Sequence, residues 1–157
     1  MPPDLHALCE ELRQIGLRPA TPAKRKKIED AVSSKWDGVK VAAATALSQW
    51  GDPQSVQTLK DLLVAVAAKP DRYSAAGTIA RLLASHLQPS DLDWAVDVFI
   101  HQSHTDNRFV LESLFEVFPP NEVLKRLETQ TLHGRKPERD LLSAIFRAKW
   151  RLSREKT

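Results

Sequence analysis

Apolar residues recur at three- and four-residue intervals along the chain, in blocks separated by Gly, Pro or Asp, and no block alternates with a period of two. Helices alone are predicted. Leu5, Leu8, Cys9, Leu12 and Ile15 lay one stripe over Pro3 to Ile15, with Gly16 as its stop. Thr21-Pro22 supplies an N-cap and a first-turn proline for a short basic helix to about Ser33, polar nearly all round. Asp37 opens a helix with Val39, Ala42, Ala43, Ala46, Leu47 and Trp50 on one broad face, and its alanines let a neighbouring helix approach closely. Trp50-Gly51-Asp52-Pro53 combines a left-handed stop glycine, an aspartate cap and a first-turn proline, so the chain reverses there. Val56, Leu59, Leu62, Leu63 and Val66 mark the next helix, Pro53 to Lys69, ended by Pro70. Asp71 starts another, with Tyr73, Ala76, Ile79, Ala80 and Leu83.

The later blocks follow the same grammar. Ser90 with Asp93 three positions on reads as a cap for a helix carrying Leu92, Val96, Phe99 and Ile100. Asp106 or Asn107 caps one with Val110, Leu111, Leu114, Phe115 and Phe118, Pro120 to Thr129 forms a shorter one, and Pro137 to about Arg154 a last long one. Asp37, Asp71, Asp106 and Pro137 thus open successive helices at separations of 34, 35 and 31 residues. A period in that range with two helices per period marks a solenoid of stacked pairs. The predicted fold is all-α, a right-handed α-α superhelix forming a single domain over 1–157. Its pairs lie at about 22–50, 53–86, 90–118 and 120–154, with 3–15 as a capping helix.

Asp37, Val39-Lys40, Ala42-Ala43 and Ala46-Leu47 follow the order aspartate, valine plus a base, then Ala-Ala-x-x-Ala-Leu. This segment resembles the second helix of a HEAT repeat, more closely the short HEAT-like repeats of bacterial phycobiliprotein lyases. Asp71 to Leu82 keeps the aspartate with Ala75, Ala76 and Ala80 but places Tyr73-Ser74 where valine plus a base stands, and later pairs keep length and amphipathicity with little of the motif. The resemblance implies that Asp37 and Lys40 belong to a ladder of polar contacts between repeats. It implies architecture and leaves activity open.

Composition narrows the class without naming a function. The chain has 157 residues, 42% hydrophobic and 27% charged, with no long apolar run and no basic-then-apolar leader, so a cytoplasmic protein is expected. Cys9 is the sole cysteine, which fits a reducing compartment and reads as a small apolar residue of the first helix. The net charge of +3 is unevenly spread: residues 135–157 hold eight basic and three acidic side chains, and residues 31–134 hold nine and twelve.

Candidate chemistry is sparse. His101 and His104 stand near a helix end with Asp106 close by, but no third ligand is visible, and a solvated helix terminus is favoured over a metal site. Asp91, Asp93 and Asp97 offer acid and base, yet a first helical turn stabilises negative charge by itself, so capping is favoured over catalysis. Five isolated glycines exclude a phosphate-cradling loop. Trp36, Trp50 and Trp94 read as core or inter-helix anchors. In the final helix, at about 100° per residue, Leu141, Leu142, Ile145, Ala148 and Leu152 oppose an arc holding Arg139, Arg147, Arg151 and Arg154, with Phe146 and Trp150 on its shoulder. Such an arc suits carboxylates, phosphates or stacked planar groups. The bland alternative is a solvated helix end, and the Lys24 to Lys27 run reads likewise as a soluble face.

The leading expectation is a non-enzymatic protein-protein interaction scaffold that uses the concave face of the solenoid to hold a protein partner. Its candidate binding residues are Arg81, Arg108, Arg139, Arg147, Trp150 and Arg151. No catalytic residue, metal or cofactor is expected. The alternative is nucleic-acid binding by the basic C-terminal helix, as in the HEAT-like alkylpurine DNA glycosylases, whose catalytic aspartate matches no position here. A chromophore lyase-type accessory enzyme rests on family analogy alone.

Overall fold

The computed structural model describes residues 3–67, 75–98, 115–132, 145–146 and 149–154, and every regular element among them is helical. The fold is all-α. In chain order the helices are α1 (Pro3–Gly16), α2 (Pro22–Val32), α3 (Asp37–Trp50), α4 (Pro53–Ala67) and α5 (Ala75–Ala84). A 3₁₀ turn, Pro89–Asp91, then leads into α6 (Leu92–Asp97), and α7 (Pro120–Leu132) follows. Residues 115–117, 145–146 and 149–154 are helical as well. The repeat markers Asp71, Asp106 and Pro137 lie outside the described residues. The chain divides into two compact units, Met1–Val66 with Tyr73–His86, and Ala67–Arg72 with Leu87–Thr157.

Helix α3 is the hub of the first unit, packing against α1, α2 and α5. Its alanine-rich composition makes this possible: Ala42, Ala43, Ala44 and Ala46 are wholly buried, and without long side chains three helices can close in on one axis. Lys40 and Ala44, about 100° and 140° round from Val39, are buried too, so the buried surface is wider than the single face the periodicity suggested. Leu12 and Cys9 of α1, Ile28 of α2, Leu59, Leu62, Leu63 and Val66 of α4, and Ile79 and Leu83 of α5 complete the core. Each full Leu or Ile burial stabilises by about 1.5–3 kcal/mol.

Two glycines serve different purposes. Gly51 ends α3 at φ 64°, its N–H donating to the Leu47 carbonyl at 3.0 Å, which is the left-handed stop expected from the sequence. Gly16, read as a stop of the same kind, is instead the last residue of α1 and has no positive φ. A Cβ there would lie 2.5 Å from Ala46 Cα, so Gly16 is required by the close approach of α1 to α3.

The link between α3 and α5 is polar. Ser48 Oγ donates to the Leu82 carbonyl at 3.0 Å, across 34 residues, and His86 Nε2 lies 3.0 Å from the Ser48 carbonyl. That carbonyl has no proton to give, so the contact needs the tautomer that carries its hydrogen on Nε2. It satisfies a C-terminal acceptor that α3 leaves open.

In the second unit α6 packs on α7 through Leu92, Ala95, Val96, Val123 and Leu127, all buried. Pro89 opens a tight turn ahead of α6, so the capping bond expected at Ser90 forms at Gln88, two residues earlier. The Gln88 N–H donates to the Asp91 carboxylate at 2.8 Å. Helix α7 also runs to Leu132, past the expected end at Thr129. Phe115 and Phe118 are buried ahead of the Pro119-Pro120 corner, where the Pro119 carbonyl accepts from Glu122 and Val123.

Candidate functional site

The second unit presents an aromatic and cationic surface on its last helical residues. Phe146 is 70% exposed and Trp150 52%, although apolar rings of this size are normally drawn inward. Phe146 belongs to the helical residues 145–146 and Trp150 to the helical residues 149–154. Arg154, one turn along from Trp150, lies with its guanidinium carbon 4.8 Å from the Trp150 ring centroid, within cation-π range. Ile145 and Leu152 are half-buried and supply the inward side. The helix is tied to α7 by Lys149, whose ammonium is 3.8 Å from the Glu128 carboxylate.

Arg151, one of the expected binding residues, packs inward. It is half-buried with its guanidinium 4.8 Å from the Phe115 ring, so it closes over a core aromatic. Trp150 is on the surface as expected for a binding residue, and Arg81 is exposed on α5 of the first unit. Arg108, Arg139 and Arg147 lie outside the described residues, as do His101, His104 and Asp106. Among the described residues no three His, Cys, Asp or Glu side chains gather as a metal site. Asp93 is 2.6 Å from Arg126 Nε in an ion pair bent away from hydrogen-bond geometry, and Asp91 caps the 3₁₀ turn. Both carboxylates therefore have structural employment.

The first unit has a second polar centre at the corner between α3 and α4. Arg25 reaches across from α2 to the Asp52 carboxylate at 2.9 Å and the Ser55 hydroxyl at 3.2 Å, and its guanidinium lies 5.3 Å from the Trp50 ring. Ser55 in turn donates to the other Asp52 oxygen at 2.5 Å. Partial burial pushes the Asp52 carboxyl upward. The Ser55 hydrogen bond, then the Arg25 hydrogen bond and charge, outweigh it and hold the group below its ordinary value. The Trp50 indole donates to the Arg18 carbonyl at 2.8 Å, the helix-end partner such a ring requires.

No protein-family model, curated protein or solved structure matches the chain. The residues themselves carry the functional argument. The Lys24 to Lys27 run, read as a soluble face, keeps Lys26 and Lys27 exposed and also makes ties: Lys24 to the Pro19 carbonyl, Arg25 to Asp52, Lys26 to Asp30 and Lys27 to Glu11. Trp36, read as an anchor, is exposed beside Lys35, because it precedes α3 as its N-cap and does not join the helix face. Sequence reasoning passed over Leu17 and Arg18, the exposed loop after α1. Their signal was available: a leucine and a base in a five-residue link between Gly16 and the Pro22 turn have no helical face to join.

Proposed function

We propose that this chain is a non-enzymatic protein-binding module assembled from HEAT-like helix pairs, with its binding surface at Phe146, Trp150 and Arg154. The observation that carries the reading is the exposure of both aromatics, with an arginine beside Trp150. Protein interfaces concentrate their energy in aromatic and arginine side chains of this kind. The HEAT-like reading is supported by the first unit, where α3 meets its pair partner α2 and also α1 and α5, the helices one period before and after it. The Ser48–Leu82 bond spans the same 34 residues as the sequence period.

The test is affinity capture with the full chain from its source cytoplasm, compared with Phe146→Ala/Trp150→Ala. A protein retained by the first and lost from the second supports the reading. Equal retention by both, or turnover of a small substrate without any bound protein, rejects it.

Nucleic-acid binding is the second reading, favoured by the eight basic side chains in residues 135–157 and by Trp150 as a ring on which a base can stack. It predicts affinity for single-stranded or duplex nucleic acid that falls steeply with salt. Absence of binding at low ionic strength rejects it.

A further inference from the structure

An open cleft of about 510 Å³ lies at the corner of the first unit, lined by residues 16–20 together with Arg25, Gln49, Trp50 and Asp52. Its floor is fully occupied by structural bonds: Arg25 is committed to Asp52 and Ser55, and the Trp50 indole to the Arg18 carbonyl. Its rim is not. Leu17 is 64% exposed, and the exposed Arg18 side chain makes no hydrogen bond or ion pair among the described residues, while its backbone carbonyl is fixed. Lys24 ties its ammonium to the Pro19 carbonyl at 3.2 Å and so holds a second positive charge beside the loop.

Charge bookkeeping selects the ligand. Arg25 and Asp52 cancel, which leaves Arg18 and Lys24 as a surplus of positive charge beside an apolar leucine and an indole. The loop is held at two carbonyls, by Trp50 and by Lys24, so its conformation is set before anything binds, which lowers the cost of association. The cleft is open, and a small molecule would keep much of its surface in water there, unlike the deep enclosure that small ligands need. An extended chain with neighbouring acidic and apolar side chains meets both features at once.

We propose that this cleft binds an acidic, apolar peptide segment of a partner protein, its carboxylate paired with Arg18 and its apolar side chain covering Leu17 beside Trp50. The site is separate from the Phe146 and Trp150 surface and stands whether or not that surface binds protein.

The experiment follows the Trp50 indole N–H and the Arg18 side chain by ¹⁵N NMR on the full chain. The probe is the peptide acetyl-Asp-Asp-Leu-Phe-Glu-amide. The comparisons are the same peptide with lysine at each acidic position, sodium acetate, and oligothymidylate. The acidic peptide is expected to shift both resonances saturably, with the lysine peptide and acetate leaving them in place. Arg18→Glu should weaken binding roughly tenfold or more, since it removes a charge-assisted bond and adds a like charge. Leu17→Ala should weaken it several-fold, and Phe146→Ala/Trp150→Ala should leave it unchanged. Both cleft side chains are exposed, so an otherwise unaltered spectrum confirms the fold of each variant. The proposal is overturned if Trp50 does not respond, if the lysine peptide or Arg18→Glu behaves like the original, or if acetate or oligothymidylate reproduces the full shift.

Discussion

Trp50 at the end of α3 and Trp150 within the helical residues 149–154 are each accompanied by an arginine, at 5.3 Å for Arg25 on Trp50 and 4.8 Å for Arg154 on Trp150. The pairs look alike and behave differently. Trp50 is half-buried, its indole bonded to a loop carbonyl and its arginine bonded onward to Asp52 and Ser55, so the pair locks a corner. Trp150 is more than half exposed and its neighbour Phe146 more so, with core packing left to Ile145 and Leu152. An aromatic-arginine pair is thus a fastening where helices close round it and stays in water where they do not.

If α3 is a hub, disturbing its surroundings should cost far more than disturbing the C-terminal surface. Leu12→Ala and Ile28→Ala, at wholly buried sites on α1 and α2, should each lower unfolding free energy by about 2–5 kcal/mol in urea titrations. Losses near zero at both would show that the packing around α3 is not what holds the first unit. Gly16→Ala tests the same contact by overfilling it: the added Cβ meets Ala46 backbone, which cannot rotate away, and a loss of about 1–3 kcal/mol is expected. Were the approach of α1 to Ala46 loose, alanine there would be nearly neutral, because Gly16 has no positive φ to strain.

The fastening at Trp50 has a pH signature. The Asp52 carboxyl titrates below its ordinary value of 3.8, so the folded state holds the ionised form more firmly than the unfolded chain does. Its contribution is fully present above about pH 4 and is lost as pH falls through the lowered folded value. Asp52→Asn should therefore cost about 1 kcal/mol at pH 7, and the gap to the original protein should narrow toward pH 2. A gap that stays constant with pH would show that the carboxylate charge does no work at this corner.

What the sequence revealed follows the range of each interaction. Gly51, Thr21 and Pro22 were legible because a left-handed stop and a first-turn cap are settled within a few residues. The helical face of α1 was legible for the same reason. Gly16 was misread because its constraint comes from Ala46, thirty residues away, and a glycine stop looks the same on paper as a glycine crossing. The ties of Lys24 to Lys27 and the turn of Arg151 toward Phe115 were hidden likewise, since periodicity says which side of a helix a residue occupies and nothing of what waits there. The exposure of Trp150 was legible from its position on the shoulder of the arginine arc. The loop cleft at Arg18 was missed because loops have no period to read.

The smallest expected effect is the most telling. Phe146→Ala/Trp150→Ala removes two large rings, which in a core would cost about 3–5 kcal/mol each. Here most of that surface is already in water in the folded state, so little burial is forfeited, and stability should change by no more than about 0.5 kcal/mol for each substitution. Trp50→Ala provides the contrast within one molecule: it strips the loop carbonyl of Arg18 of its donor and Arg25 of its platform, and should cost about 2–4 kcal/mol. A large loss at Phe146 and Trp150 would mean that these rings support the fold in solution, and the surface would cease to be a candidate for binding. A negligible loss there beside a substantial one at Trp50 would separate the two aromatic-arginine pairs by their part in folding, and would keep the exposed pair available for the proposed binding.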